Sequence, residues 1–298
     1  MKLNCLVLSL ITLSVATYSF ADEEKKTLTL NSSGIDTLKV MSGIGSLTVT
    51  GDENADEIRV DAVIDADDYT LTLEKDGKTA ELLSKTDSKV SGWFNGRTNY
   101  IDLKVTMPDS LRLIIHDGSG DIRIADIEAA VRINDGSGSI TVKNIGNDLA
   151  IEDGSGDMRI ETVAGSFNFT DGSGSITLED IGGTVEGEDG SGDFRATKIG
   201  GGMQIIDGSG SIAFQDIGGS IDLEDSSGDI KIEDVIGDIA IGDGSGSIRI
   251  NNVKGHVKIH DGSGDIRVAS VSNGLTIDES GSGSVSTQDI KGELILDD

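Results

Sequence analysis

Nine aspartates recur eighteen residues apart: Asp117, Asp135, Asp153, Asp171, Asp189, Asp207, Asp225, Asp243 and Asp261. Eight open the tetrapeptide Asp-Gly-Ser-Gly, and Asp225 opens Asp-Ser-Ser-Gly. A tenth copy, Ser280-Gly281-Ser282-Gly283, starts nineteen residues after the ninth and lacks the aspartate. Carboxylates so placed can accept turn N–H groups in Asx-turns, with glycines supplying the unusual backbone angles. They can also ligate a hard cation, and Asp-x-Ser-x-Asp opens like an oxygen-rich calcium loop. The repeat lacks that loop's glycine at position 6 and a consistent glutamate at position 12. Turn chemistry is the preferred reading and a calcium ladder the alternative. Stacked about 4.8 Å apart, neighbouring charges repel by roughly 0.9 kcal/mol in a water-like medium. A partly buried column, at an effective dielectric near 20, would cost about 3.5 kcal/mol per pair and would call for a divalent cation.

A second ladder lies within the same repeat. Counting the aspartate as position 1, position 5 alternates Asp121, Ser139, Asp157, Ser175, Asp193, Ser211, Asp229, Ser247, Asp265, Ser284. Position 7 is basic in every Asp copy: Arg123, Arg159, Arg195, Lys231 and Arg267. The full unit is therefore about 36 residues, and Ser in alternate copies doubles the spacing between stacked carboxylates. That is charge management first and ion recognition second. Nucleophilic or acid–base chemistry finds less support. Identical carboxylates in identical surroundings cannot be split into acid and base roles. His116 and His260 precede repeat aspartates at outward positions, and His256 shares a coil with His260. No catalytic, cofactor-binding or metal residue is assigned, and the chain is read as non-enzymatic.

The elements that position these ladders follow from the apolar pattern. Positions 6, 8, 11, 15 and 17 are apolar in 48 of 50 slots, with Thr287 and Gly187 the exceptions. Alternation at 6 and 8, and again at 15 and 17, is the period-two signal of strands with one buried face. Position 11 is a corner residue pointing inward. Position 13 is glycine in seven copies and asparagine in two, as a turn needing φ > 0 would favour. One copy cannot bury its own apolar face, but stacked copies bury a continuous column. The fold class is thus all-β: a single-stranded parallel β-solenoid (β-helix) with 18 residues per coil and an irregular N-terminal β cap. A right-handed coil follows from the crossover rule.

Three segments divide the chain: a signal peptide over 1–21, an irregular β region over 22–116, and the regular ten-repeat solenoid over 117–298. Lys2, the apolar run Leu6 to Val15 and Ser19-Phe20-Ala21 predict cleavage between Ala21 and Asp22. Cys5 is the only cysteine and leaves with the leader. Export follows, to the periplasm, the cell surface or beyond. In 22–116, Leu28-Leu30, Leu38-Val40, Leu47-Val49, Ile58-Val60, Leu71-Leu73 and Ile101-Val105 read as strands, and Met41 to Val49 as a degenerate repeat. Trp93-Phe94 lies in a glycine-flanked turn, packed across the cap or free to meet a partner. Leu294-Ile295-Leu296 could pair end to end with a second copy, although Asp297 and Asp298 protect that edge.

Composition narrows the partners. The 298 residues carry 24 Lys and Arg against 53 Asp and Glu, a formal charge of −29. Phosphate contacts need clustered cations, so nucleic acid is excluded and an anionic membrane surface is disfavoured. No segment after the leader is long and apolar enough to span a bilayer.

The degenerate repeat over Ser42 to Val49, the run Tyr100-Ile-Asp-Leu-Lys-Val-Thr-Met-Pro108, the Leu111 to Ile115 strand and the Gly-Ser-Gly-Asp/Ser-Ile series together resemble the bacterial putative-adhesin family of exported β-strand-repeat domains. The resemblance implies a β-solenoid outside the cytoplasm and supplies no catalytic residue. The sequence-based expectation is an acidic, exported structural or adhesin-like surface whose partner is an envelope protein or glycan. The alternatives are a calcium-binding scaffold and, third, a polysaccharide-processing β-helix.

Overall fold

The structure, a computed structural model, describes residues 23–86 and 99–297. Residues 1–21, where a leader is expected, and Trp93-Phe94 lie outside the described residues. All 28 elements among the described residues are β-strands, arranged in two 14-stranded sheets. The regular repeat begins with β9 (Ile122–Ile127) and β10 (Val131–Asp135). Each coil contributes one strand to either sheet, and each strand pairs in parallel with its equivalent eighteen residues on, as in Ile122↔Ile140 and Val131↔Leu149. The register holds until Ile259 and His260, where Glu279 pairs with His260 and a residue is bulged out. This is where the repeat lengthens to nineteen residues.

Side chains at positions 6, 8, 11, 15 and 17 fill the space between the sheets and are buried through the first nine coils. Gly187 interrupts that rule, and a large neighbour explains it. The Phe169 ring, one coil earlier, occupies the space a Cβ on Gly187 would need. Phe169 stacks on Phe167 with centroids 5.3 Å apart and meets Phe194 edge-on at 5.5 Å. Phe194 in turn meets Phe214 at 5.1 Å, with the small Ala196 beside them in the same sheet. Large and small residues thus alternate at facing positions, as dense packing requires. On the last described coil Val285 and Leu294 are 37% and 47% exposed, since no described strand stacks over them.

The turn expected at position 13 is differently made. Apart from Gly292 in the last coil, the position 13 glycines do not have positive φ. They are needed for close stacking: a Cβ on Gly201 would lie 2.5 Å from the Gly183 carbonyl oxygen. Positive φ falls instead at position 4, from 133° at Gly138 to 153° at Gly228, and at position 10. Position 10 holds no glycine at all, yet Asp126, Asn144, Asp180 and their equivalents have φ between 53° and 63°. Asp and Asn tolerate this left-handed region better than most residues. There Asn144 Nδ2 donates to Asp126 Oδ1 of the preceding coil at 2.8 Å.

The N-terminal region stacks out of chain order. Its strands are β1 (Glu24–Asn31), β2 (Thr37–Met41), β3 (Leu47–Asp52), β4 (Glu57–Asp65), β5 (Tyr69–Asp76), β6 (Thr79–Thr86), β7 (Tyr100–Pro108) and β8 (Arg112–His116). The coil made by β2 and β3 sits between the β6–β7 pair and the β8–β9 pair, parallel to both. Beyond it, β4 runs antiparallel to β1 and β7, and β5 antiparallel to β6. The degenerate repeat is therefore the direct neighbour of the first regular coil, with Leu47 opposite Ile122.

Candidate functional site

The nine-aspartate column is the most unusual chemical feature of the rod. Asp135 closes β10, and its equivalents through Asp261 close the matching strand of each later coil, while Asp117 directly follows β8, so sheet pairing fixes where the carboxyls stand. Relative exposure ranges from 0% at Asp261 to 8% at Asp117. Seven of the nine accept the backbone N–H of the serine two residues on through Oδ1, from 2.9 Å at Asp225 to 3.4 Å at Asp135. The Asx-turn read from the sequence is present. All nine column aspartates are buried, the setting in which their charges become costly. Oδ2 has no hydrogen-bond partner in any of the nine.

Burial drives all nine carboxyls above the ordinary aspartate range, because desolvation penalises the charged form. Asp117, Asp153 and Asp207 are pushed up to about 6, and Asp189 and Asp243 to about 7. Repulsion between neighbouring rungs adds to burial: Asp207 and Asp171 act on Asp189, and Asp225 and Asp261 on Asp243.

The position 5 ladder works between coils. Asp121 Oδ1 accepts the backbone N–H of Ser139 at 3.3 Å, and the same bond joins Asp157 to Ser175, Asp193 to Ser211, Asp229 to Ser247 and Asp265 to Ser284. Each position 5 aspartate therefore accepts a backbone N–H of the next coil, a role beyond charge spacing. Of the five cations at position 7 of the Asp copies, Arg123, Arg195 and Arg267 pair with the aspartate two residues back at 2.9 to 3.1 Å. Arg159 and Lys231 turn instead to Glu161 and Glu233. The Ser211 N–H and then Arg195 hold the Asp193 carboxyl below its usual value.

The two outer faces differ in charge. One carries the exposed ladder Arg123, Arg159, Arg195, Lys231, Arg249 and Arg267, interleaved with the position 5 aspartates. The other shows Glu152, Glu186, Glu188, Asp222 and Glu224 along its middle. At the corner between strands, Gly182, Gly200 and Gly218 floor a groove of about 650 Å³ that the half-exposed Ile236 borders. His116 is exposed, His260 lies 3.4 Å from Glu279, and His256 Nε2 lies 3.2 Å from Thr276 Oγ1. His260 stands beside Asp261 of the column, but among the described residues no three His, Cys, Asp or Glu side chains converge as metal ligands.

Solved structures with similarity to this chain include a putative cell adhesion protein of Clostridium sporogenes, at 12% identity and a TM-score of 0.31 over 71% of this chain and 99% of that one. A putative adhesin of Parabacteroides merdae aligns at 10% identity and 0.32, covering 90% and 97% of the two chains. A putative lipid binding protein of Parabacteroides distasonis aligns at 15% and 0.30, covering 90% and 97%. No curated protein matches the chain. The sequence profile of one family spans residues 35–217, more than half of the chain, and on that match the protein belongs to the Toastrack DUF4097 family.

Proposed function

We propose that the chain is a non-enzymatic, exported, acidic β-solenoid that presents a structural or adhesin-like binding surface in the bacterial envelope. The observation that carries this reading is the unbroken coil-to-coil register from β9 to Val271, which repeats the same outward positions along two flat faces of unlike charge. A rigid array of that kind suits a partner that is itself repetitive, such as an envelope glycan, or a protein strand laid along the rod. The apolar leader ending at Ala21 supports export. The rigid coils also lack the long inter-strand loops from which a substrate cleft would be built among the described residues.

The test is binding of the exported protein to purified envelope polysaccharides and surface proteins, with reducing-end release followed in parallel. Two variants separate the faces: R195E/K231E on the basic ladder and E186K/E188K on the acidic face. Loss of binding in one variant and not the other supports the reading. Polysaccharide turnover, or recovery of the uncleaved chain in the cytoplasm, would sink it.

A further inference from the structure

We infer that the buried column from Asp117 to Asp261 is a proton-binding site, in which neutral carboxyls stand among carboxylates along the stack and the rod takes up protons in mildly acidic conditions. Three observations converge on this. Each column carboxyl is more than nine-tenths buried, and each has an Oδ2 without a hydrogen-bond partner. An unpaired buried charge is costly enough that a carboxyl neutralises instead. Coil-to-coil pairing in register also sets the rungs at the strand spacing of about 4.8 Å, where adjacent carboxylates repel.

The groups facing the column do not offset its charge. The rungs above and below act on one another, Asp157 bears on Asp171, and Ser42 stands beside Asp117. The turn N–H groups of positions 2 and 3 are the favourable contacts, and His260 beside Asp261 is the one basic group that bears on a rung. No lysine or arginine reaches the column among the described residues.

A proton answers what each rung lacks. The neutral acid brings one O–H donor, and its neighbour's free oxygen is an acceptor. A calcium ion asks for six to eight oxygens. Each rung supplies one carboxyl, and no three ligating side chains converge there.

The experiment is infrared titration of the protein recovered after expression of the full chain, following the carbonyl band of protonated carboxyls. That band is expected to persist at pH 6 and to vanish by about pH 8. In D153N/D189N/D225N, whose Asn side chains keep the turn acceptor and bring their own donors, the band should fall by about a third. The exposed-site control D222N should leave it unchanged. A band that disappears by pH 5 in the wild type overturns the inference, and so does an unchanged band in a folded triple variant. Millimolar calcium that abolishes the band at pH 6 overturns it in favour of a metal site. Should the triple variant fail to fold, the wild-type band decides alone.

Discussion

The Phe169 ring fills the place of the side chain that Gly187 lacks, one coil further along the rod. Two exceptions to the repeat, an aromatic and a glycine, are therefore one packing unit. Gly187→Val should destabilise by about 1–3 kcal/mol through overpacking. Phe169→Leu in the same chain should recover part of that loss, because it empties the contested volume. Thermal melts of the single and double variants measure the coupling, and additive effects would show that the two positions are independent.

Ile212 lies in the stacked position 6 column, 1% exposed. Ile212→Asp places an unpaired charge among apolar rungs and should cost roughly 4 kcal/mol or more. Because neighbouring coils support one another, the damage should spread to adjacent repeats. Limited proteolysis should then open cleavage sites on both sides of residue 212. A wild-type digestion pattern and melting curve would mean that Ile212 does not face inward.

The bond from Ser211 N–H to Asp193 Oδ1, at 3.3 Å, predicts a local effect. Asp193→Ala should speed amide exchange at Ser211 while leaving Ser175, capped by Asp157, unchanged. The stability cost should be about 1 kcal/mol. Equal exchange at both serines in the variant would show that Asp193 does not protect the Ser211 amide.

Stability should peak in mildly acidic solution. The column carboxyls are raised on folding, so their contribution is fully present below the unfolded value of about 3.9 and is lost as pH climbs through about 6 to 7. Asp61, lowered chiefly by Arg59, and Glu161, lowered chiefly by Lys143, behave in the opposite sense. Their contribution is present above the unfolded carboxylate values and is lost as pH falls through the depressed ones. The melting temperature should therefore be highest near pH 4–5 and lower on either side. A profile that rises steadily from pH 4 to pH 8 would contradict the column's assignment.

Much of the rod is legible in its repeat, because every inward position recurs with the coil. Ile122, Ile124, Ile127, Val131 and Ile133 announce the coil, and all five are buried. The stacking order of the first coils is not legible. The coil of β2 and β3 is inserted between later segments, a long-range choice that no local pattern encodes. Thr79–Thr86 escapes a strand reading because its inward residues include the small Ala80 and the polar Ser84. The left-handed corner at Asp126 is hidden because no glycine marks it. Aspartate is ordinarily exposed, so the sequence alone gives no sign that Asp207 and its column are sealed from solvent.

One measurement bears most directly on the column: thermal melts of the protein at pH 5 and pH 8, each in EDTA and in millimolar calcium. The melting temperature should be higher at pH 5 than at pH 8, with no difference between EDTA and calcium at either. A calcium-dependent rise at pH 8, reversed by EDTA, would contradict that prediction and make the aspartate column a metal ladder.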